Sequence, residues 1–175
     1  QRNRRTQPPE LGKTGGSTKV SAAKYRIALV VAPGGATADQ YFKNNPNCSR
    51  SKWTNEEYNR RAHELGESLK KTPPFNELGD QLQVDYVQVD PDALKISSTT
   101  KDGRGIHAGD LGAALAYPEV AKADRIVVLT SGDGGTAGAY ITTGMGECER
   151  EAPKNVLKHE LHHTYGMADE YPYDA

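Results

Sequence analysis

The apolar residues fall into a few short runs separated by long polar stretches. The first, YRIALVVA at 25–32, is nearly unbroken, rich in β-branched residues and stopped by Pro33-Gly34-Gly35. That pattern predicts a strand buried on both faces. A loop containing Cys48 is expected next. The segment TNEEYNRRAHELGESLKK at 54–71 then places Tyr58, Ala62, Leu65 and Leu69 on one helical stripe. Thr54 reads as its N-cap, Glu57 as the partner in a capping box, and Pro73-Pro74 as its stop.

QLQVDYVQVD at 81–90 alternates Leu82, Val84 and Tyr86 against Val87 and Val89, the period of a second strand. Residues 91–108 read as loop, Asp110 to Ala116 as a short helix, and Pro118 as the start of another turn. RIVVLTS at 125–131 predicts a third buried strand, closed by Gly132-Asp133-Gly134-Gly135. AYITTG at 139–144 reads as a short edge strand. APKNVLKHELHHTYG at 152–166 predicts a last helix, with Pro153 in its first turn and Gly166 at the C′ position. The alternation of strands and helices predicts a three-layer α/β domain with a mixed, mostly parallel sheet.

Residues 1–23 lack such runs. They are polar, carry three arginines in the first five positions, and read as a flexible arm preceding one domain at 24–175. The chain has 175 residues and a formal net charge of −1, which gives no electrostatic case for nucleic acid as a partner. Its longest apolar run is far too short to cross a bilayer, so no membrane insertion is expected. It opens on Gln1 rather than methionine and shows no signal peptide, the look of a processed or trimmed start. Cys48 and Cys148 admit one intramolecular pairing; the alternative is two reduced thiols.

The chemistry is concentrated in HELHHTYGMADEY at 159–171. His159 and His163 are four apart, so on a helix both imidazoles project from one face and can converge on a metal. Glu160 is displaced round the helix, where it reaches a metal-held water instead of the metal. This is the H-E-x-x-H arrangement of zinc hydrolases, two neutral imidazoles with a carboxylate as general base. Gly166 lets the helix stop abruptly, because a glycine at C′ takes the left-handed conformation without steric cost. Asp169 then falls at the third-ligand position of HExxHxxGxxD, with Glu170 as the competing ligand. His162 reads as a flanking polar residue.

These residues resemble the zinc-binding signature of the IgA-peptidase-like metallopeptidases, whose motif ends in the same Ala-Asp-Glu-Tyr string. The HExxHxxGxxD core is also similar to that of snapalysin-type secreted proteases and, more broadly, of metzincins. The resemblance implies a zincin-like fold with the metal-binding helix near the C-terminus. It implies a zinc endopeptidase acting on a protein or peptide substrate, with Zn2+ on His159, His163 and Asp169 and with Glu160 as base. It further implies that Ala139 to Gly146 runs along the cleft and takes an extended peptide by strand addition. Metzincins place a methionine-containing turn beneath the metal; Glu170 to Ala175 contain no methionine, so the lower wall of the cleft is expected to be missing unless the chain is a fragment or another chain supplies it. Tyr171 and Tyr173 are candidate oxyanion donors that read more simply as packing or surface residues.

Other features have plainer readings. Gly132 to Ala137 fits G-x-G-x-x-A after a strand, but GAYITTG is a poor helix, and pyrophosphate needs a helix N-terminus. A turn at the mouth of the cleft is the better reading. His63 on a charged helix face and His107 in a glycine-rich loop both read as solvated, with an approach to the cleft as the alternative for His107, and Trp53 reads as an anchor for the helix that follows. The expectation is a secreted or cell-surface zinc metallopeptidase, a setting that suits a Cys48–Cys148 disulfide. The alternative is a structural or assembly protein that keeps the peptidase-like fold and its metal without catalysis.

Overall fold

The computed structural model describes residues 24–48, 53–98 and 105–148. The expected arm at 1–23 and the expected last helix at 152–166 lie outside these residues.

Strand β1 (Tyr25–Ala32) is the centre of the fold. It pairs in parallel with β2 (Leu82–Gln88) on one side and β5 (Arg125–Thr130) on the other. β5 pairs in parallel with β7 (Ile141–Gly144), and β6 (Gly135–Thr136) closes the edge antiparallel to β7. The result is a mixed, mostly parallel five-stranded sheet in the order β2-β1-β5-β7-β6.

The unbroken apolar run of β1 follows from this central position. Ile27, Leu29 and Val31 face a core that includes Tyr58, Ala62, Leu65 and Leu69. Ala28, Val30 and Ala32 face a second core with Leu94, Ala114 and Val120. The first set belongs to helix α2 (Asn55–Lys70). Ala114 and Val120 belong to the short helices α3 (Gly112–Leu115) and α4 (Pro118–Ala121). Helices therefore cover both faces, an arrangement compatible with a three-layer α/β domain. Each fully buried Val, Leu or Ile of β1 contributes roughly 1.5–3 kcal/mol of transfer free energy.

Helix α2 takes the expected N-cap at Thr54, but Glu57 does not return the bond that would complete the capping box. The Thr54 hydroxyl accepts from the Glu57 amide at 3.1 Å. The Glu57 carboxylate turns to Arg60 and Arg61. Trp53 packs its ring 5.1 Å from that of Tyr58 and takes the Arg61 guanidinium over its face at 4.2 Å, so it does anchor the start of the helix.

Three expectations are corrected. The stretch after β1 is not all loop: α1 (Gly35–Lys43) begins directly beyond Gly34 and buries Ala38 and Phe42. Two positive-φ glycines, Gly34 and Gly35, make the turn, and no side chain caps the helix, so the usual start signal is missing. Residues 91–108 hold a helical turn at Pro91–Leu94 and the strands β3 (Ile96–Ser98) and β4 (Ile106–Ala108), which pair antiparallel as a separate small sheet. Strands of three residues are too short to display a period. Finally, β7 is not an edge strand, since Gly135 and Thr136 of β6 pair with Thr143 and Thr142.

Candidate functional site

The expected metal ligands His159, His163 and Asp169, the alternative ligand Glu170 and the expected base Glu160 lie outside the described residues. So do His162, Gly166, Tyr171 and Tyr173. Among the described residues, no group of three or more His, Cys, Asp or Glu side chains is placed to hold a metal.

The two cysteines are joined. Cys48 and Cys148 form a disulfide across a sequence separation of 100 residues, with Cα atoms 5.4 Å apart. On the chain-entropy account, closing a loop of that length stabilises the fold by about 5 kcal/mol. The bond brings residue 148, where the chain leaves β7, beside the turn that follows α1.

That junction lies at the carboxyl ends of β1, β5 and β7. The chain leaves β1 toward β2 and β5 toward β7, so the direction of travel along the sheet reverses between β1 and β5. Here β5 runs out into Ser131-Gly132-Asp133-Gly134, all buried. The Ser131 hydroxyl accepts from the Gly34 amide at 3.0 Å. Glu147 is only 3% exposed. One of its oxygens accepts from the Gly132 amide at 3.0 Å and the other from the Tyr58 hydroxyl at 2.9 Å. Asp133, equally buried, accepts from the Tyr41 hydroxyl at 3.1 Å. The same Tyr41 oxygen accepts from the Cys148 amide at 3.0 Å.

Burial raises the Glu147 carboxyl above its ordinary range, while the donors from Gly132, Ser131 and Tyr58 oppose that rise. Burial likewise raises the Tyr41 phenol, and the neighbouring Asp133 and Glu147 carboxylates push it further. Tyr41 thus stays a neutral donor at physiological pH. Every partner of Glu147 named here is a donor, so its carboxylate serves to fasten the chain between β5, α2 and the disulfide.

Because its carboxyl is raised on folding, the contribution of Glu147 to stability is greatest below the unfolded value, near 4.5, and declines as pH rises through the folded value. A Glu147→Gln chain is therefore expected to lose part of the decline in stability above pH 4.5. Urea melts of both chains across that window check it; parallel pH curves would contradict the assignment.

The expected peptide-binding strand at Ala139 to Gly146 needs revision. Ile141 to Gly146 are all buried. Moreover, β6 occupies the edge of β7 at Thr142 and Thr143. Strand addition directly onto β7 at those residues is therefore blocked. His107 sits half-buried on β4, with its ring 5.7 Å from that of Tyr140. His63 is exposed as expected, yet it stacks on Tyr86 at 3.8 Å. The glycine stretch 132–135 leads into β6 and not into a helix, which leaves the dinucleotide pattern without its helix N-terminus.

Tyr41, Ser131, Asp133 and Glu147 are not singled out by sequence pattern. The one local signal is Ser-Gly-Asp-Gly at the end of a buried parallel strand. Neither the protein-family models nor the curated proteins compared with the chain give a match.

Proposed function

We propose that the chain is a zinc-dependent endopeptidase of the zincin type, related to the IgA-peptidase-like metallopeptidases. The observation that carries this reading is the spacing in HELHHTYGMADEY: two histidines four apart, an intervening glutamate, a glycine stop and a following aspartate. The α/β sheet and the disulfide, which suits an extracellular setting, support it.

The donor set fits the metal. Two imidazoles and one carboxylate, from His159, His163 and Asp169, match the borderline-soft character of zinc and leave a coordination position open. Bound zinc supplies an acidified water and a polarised scissile carbonyl. Glu160 accepts the proton of the attacking water on its carboxylate and delivers it to the departing amide nitrogen. His162 is left out of the chemistry.

The test joins metal content to cleavage. The purified full chain is expected to carry zinc and to cleave unfolded protein substrates. Chelation is expected to abolish cleavage, and added zinc to restore it. Bound zinc with no cleavage would sink the peptidase reading and favour a metal-binding structural or assembly protein.

A further inference from the structure

The main sheet has one long open edge. β2 lies at its end and pairs with β1 in unbroken register from Leu82 to Gln88, and among the described residues no strand pairs with its other side. At the opposite end of the sheet β6 has only two residues. Long edge strands are normally guarded by a bulge, a proline or a lysine. The seven residues of β2, LQVDYVQ, include neither proline nor lysine, and the register shows no bulge. Their one charge is Asp85.

The backbone groups that face outward can be assigned. The Val89 amide donates to Val31 O at 3.0 Å. Alternate residues of a parallel strand turn both backbone groups to the same side. Gln83, Asp85 and Val87 therefore face β1, while Leu82, Val84, Tyr86 and Gln88 face outward. Two of the outward groups are taken. The Leu82 amide donates to Gly79 O, and Gln88 O accepts from the Tyr117 hydroxyl at 3.4 Å. Those left include the amide and carbonyl of Val84, the Leu82 carbonyl before it and the Tyr86 amide after it. Turned through a two-fold axis at Val84, that set is its own complement.

We propose that β2 is the contact between two copies of this chain, paired antiparallel about a two-fold axis at Val84. Val84 exchanges both backbone bonds with its counterpart, and each Tyr86 amide donates to the Leu82 carbonyl of the other copy. The side chains agree with this register. On the face toward α2, Leu82 of one copy meets Tyr86 of the other; on the opposite face, Gln83 meets Asp85. Within one chain the Gln83 amide already donates to both Asp85 oxygens, at 3.1 and 3.2 Å, so the two groups are suited to bond across the axis as well. Other registers are worse. One centred on Asp85 sets two carboxylates directly opposite each other, which is destabilising. One centred on Tyr86 runs the Val84 amide against Gln88 O, which Tyr117 occupies. So short a ladder covers less surface than a permanent dimer does, and the association is therefore concentration-dependent. It does not depend on the zinc reading above.

Sedimentation of the full chain over a concentration series is expected to show a monomer–dimer equilibrium, with amide exchange at Val84 and Tyr86 slowing as the dimer fills. A monomer at every concentration overturns the proposal. Val84→Pro removes the central outward amide and spares the bonds to β1, a substitution that an edge strand tolerates where the amide faces out. It is expected to give a folded monomer. Gln83→Asp and Gln83→Lys test the register without touching the backbone, because residue 83 stands opposite Asp85 twice in each dimer. Asp at this position is expected to weaken the association, and Lys to tighten it, each by about 2- to 30-fold. Thermal melts establish that the variants keep the fold. If Val84→Pro does not fold, the two Gln83 variants decide the matter alone. A dimer whose affinity is the same with either charge at position 83 overturns the contact at β2.

Discussion

Replacing Glu160 with Gln is expected to leave zinc bound and to slow hydrolysis of an unfolded protein by about 10²–10⁴-fold, the range for losing a positioned proton acceptor. Gln keeps the size and hydrogen-bonding reach of Glu but cannot accept a proton at the operating pH. The proposed ligands His159, His163 and Asp169 are untouched, so metal content should not change. Metal analysis and turnover measured on the same preparation separate the outcomes. A variant that cleaves at the parental rate removes Glu160 from the chemistry, and one that loses its zinc makes Glu160 a ligand.

The second large effect is expected at Gly144, far from any proposed ligand in sequence. This last residue of β7 pairs opposite Thr130 of β5, and its amide donates to Gly134 O at 2.8 Å. A Cβ placed there would lie 2.0 Å from Gly132 O, 2.3 Å from Gly132 C and 2.8 Å from Asp133 N. All three are backbone atoms and cannot rotate aside. Gly144→Ala must therefore push β7 away from the turn after β5, loosening the Gly132 contact to Glu147. The expected loss is about 3–5 kcal/mol, as for overpacking joined to broken buried hydrogen bonds. For a chain of this size that lowers Tm by roughly 6–20 °C. Gly138→Ala is the control, because a Cβ at Gly138 meets nothing within 4 Å. If the two variants melt together in a calorimeter, the close approach of β7 to the turn has been misjudged.

The parts of the fold legible in sequence were those with a long enough period or apolar run. β2 and α2 show a period, β1 and β5 instead show an apolar run long enough to read as a strand buried on both faces, and Thr54 and the Pro73-Pro74 pair mark the limits of α2. What escaped was short or made by distant residues. Helix α1 opens on two glycines without a capping side chain, so Pro33-Gly34-Gly35 looks like the start of a loop. The status of β7 depends on β6, a strand of two residues that no period could announce. The candidate site divides along the same line. The ligand spacing at 159–169 is a local pattern and reads directly from the chain, although it lies outside the described residues. The cluster of Tyr41, Tyr58, Ser131, Asp133 and Glu147 draws on α1, α2, β5 and the end of β7, and only the folded chain brings it together. The disulfide was legible as a possible pairing, and its formation depends on where the sheet places residue 148.

The central position of β1 also has a cost before folding is complete. Its two partners are both made later, and the residue that pairs with Ile27 on the β5 side is Arg125. At roughly 5–20 residues per second of synthesis, the interval between the two is on the order of 5–20 s. Through that time the nascent chain displays YRIALVVA, an apolar, β-prone stretch with at least one edge unpaired. Such a stretch is the kind that templates intermolecular strands. Recombinant yield should therefore depend more on a holding chaperone and on the pace of synthesis than the finished domain, with β1 enclosed on both faces and both edges, would suggest.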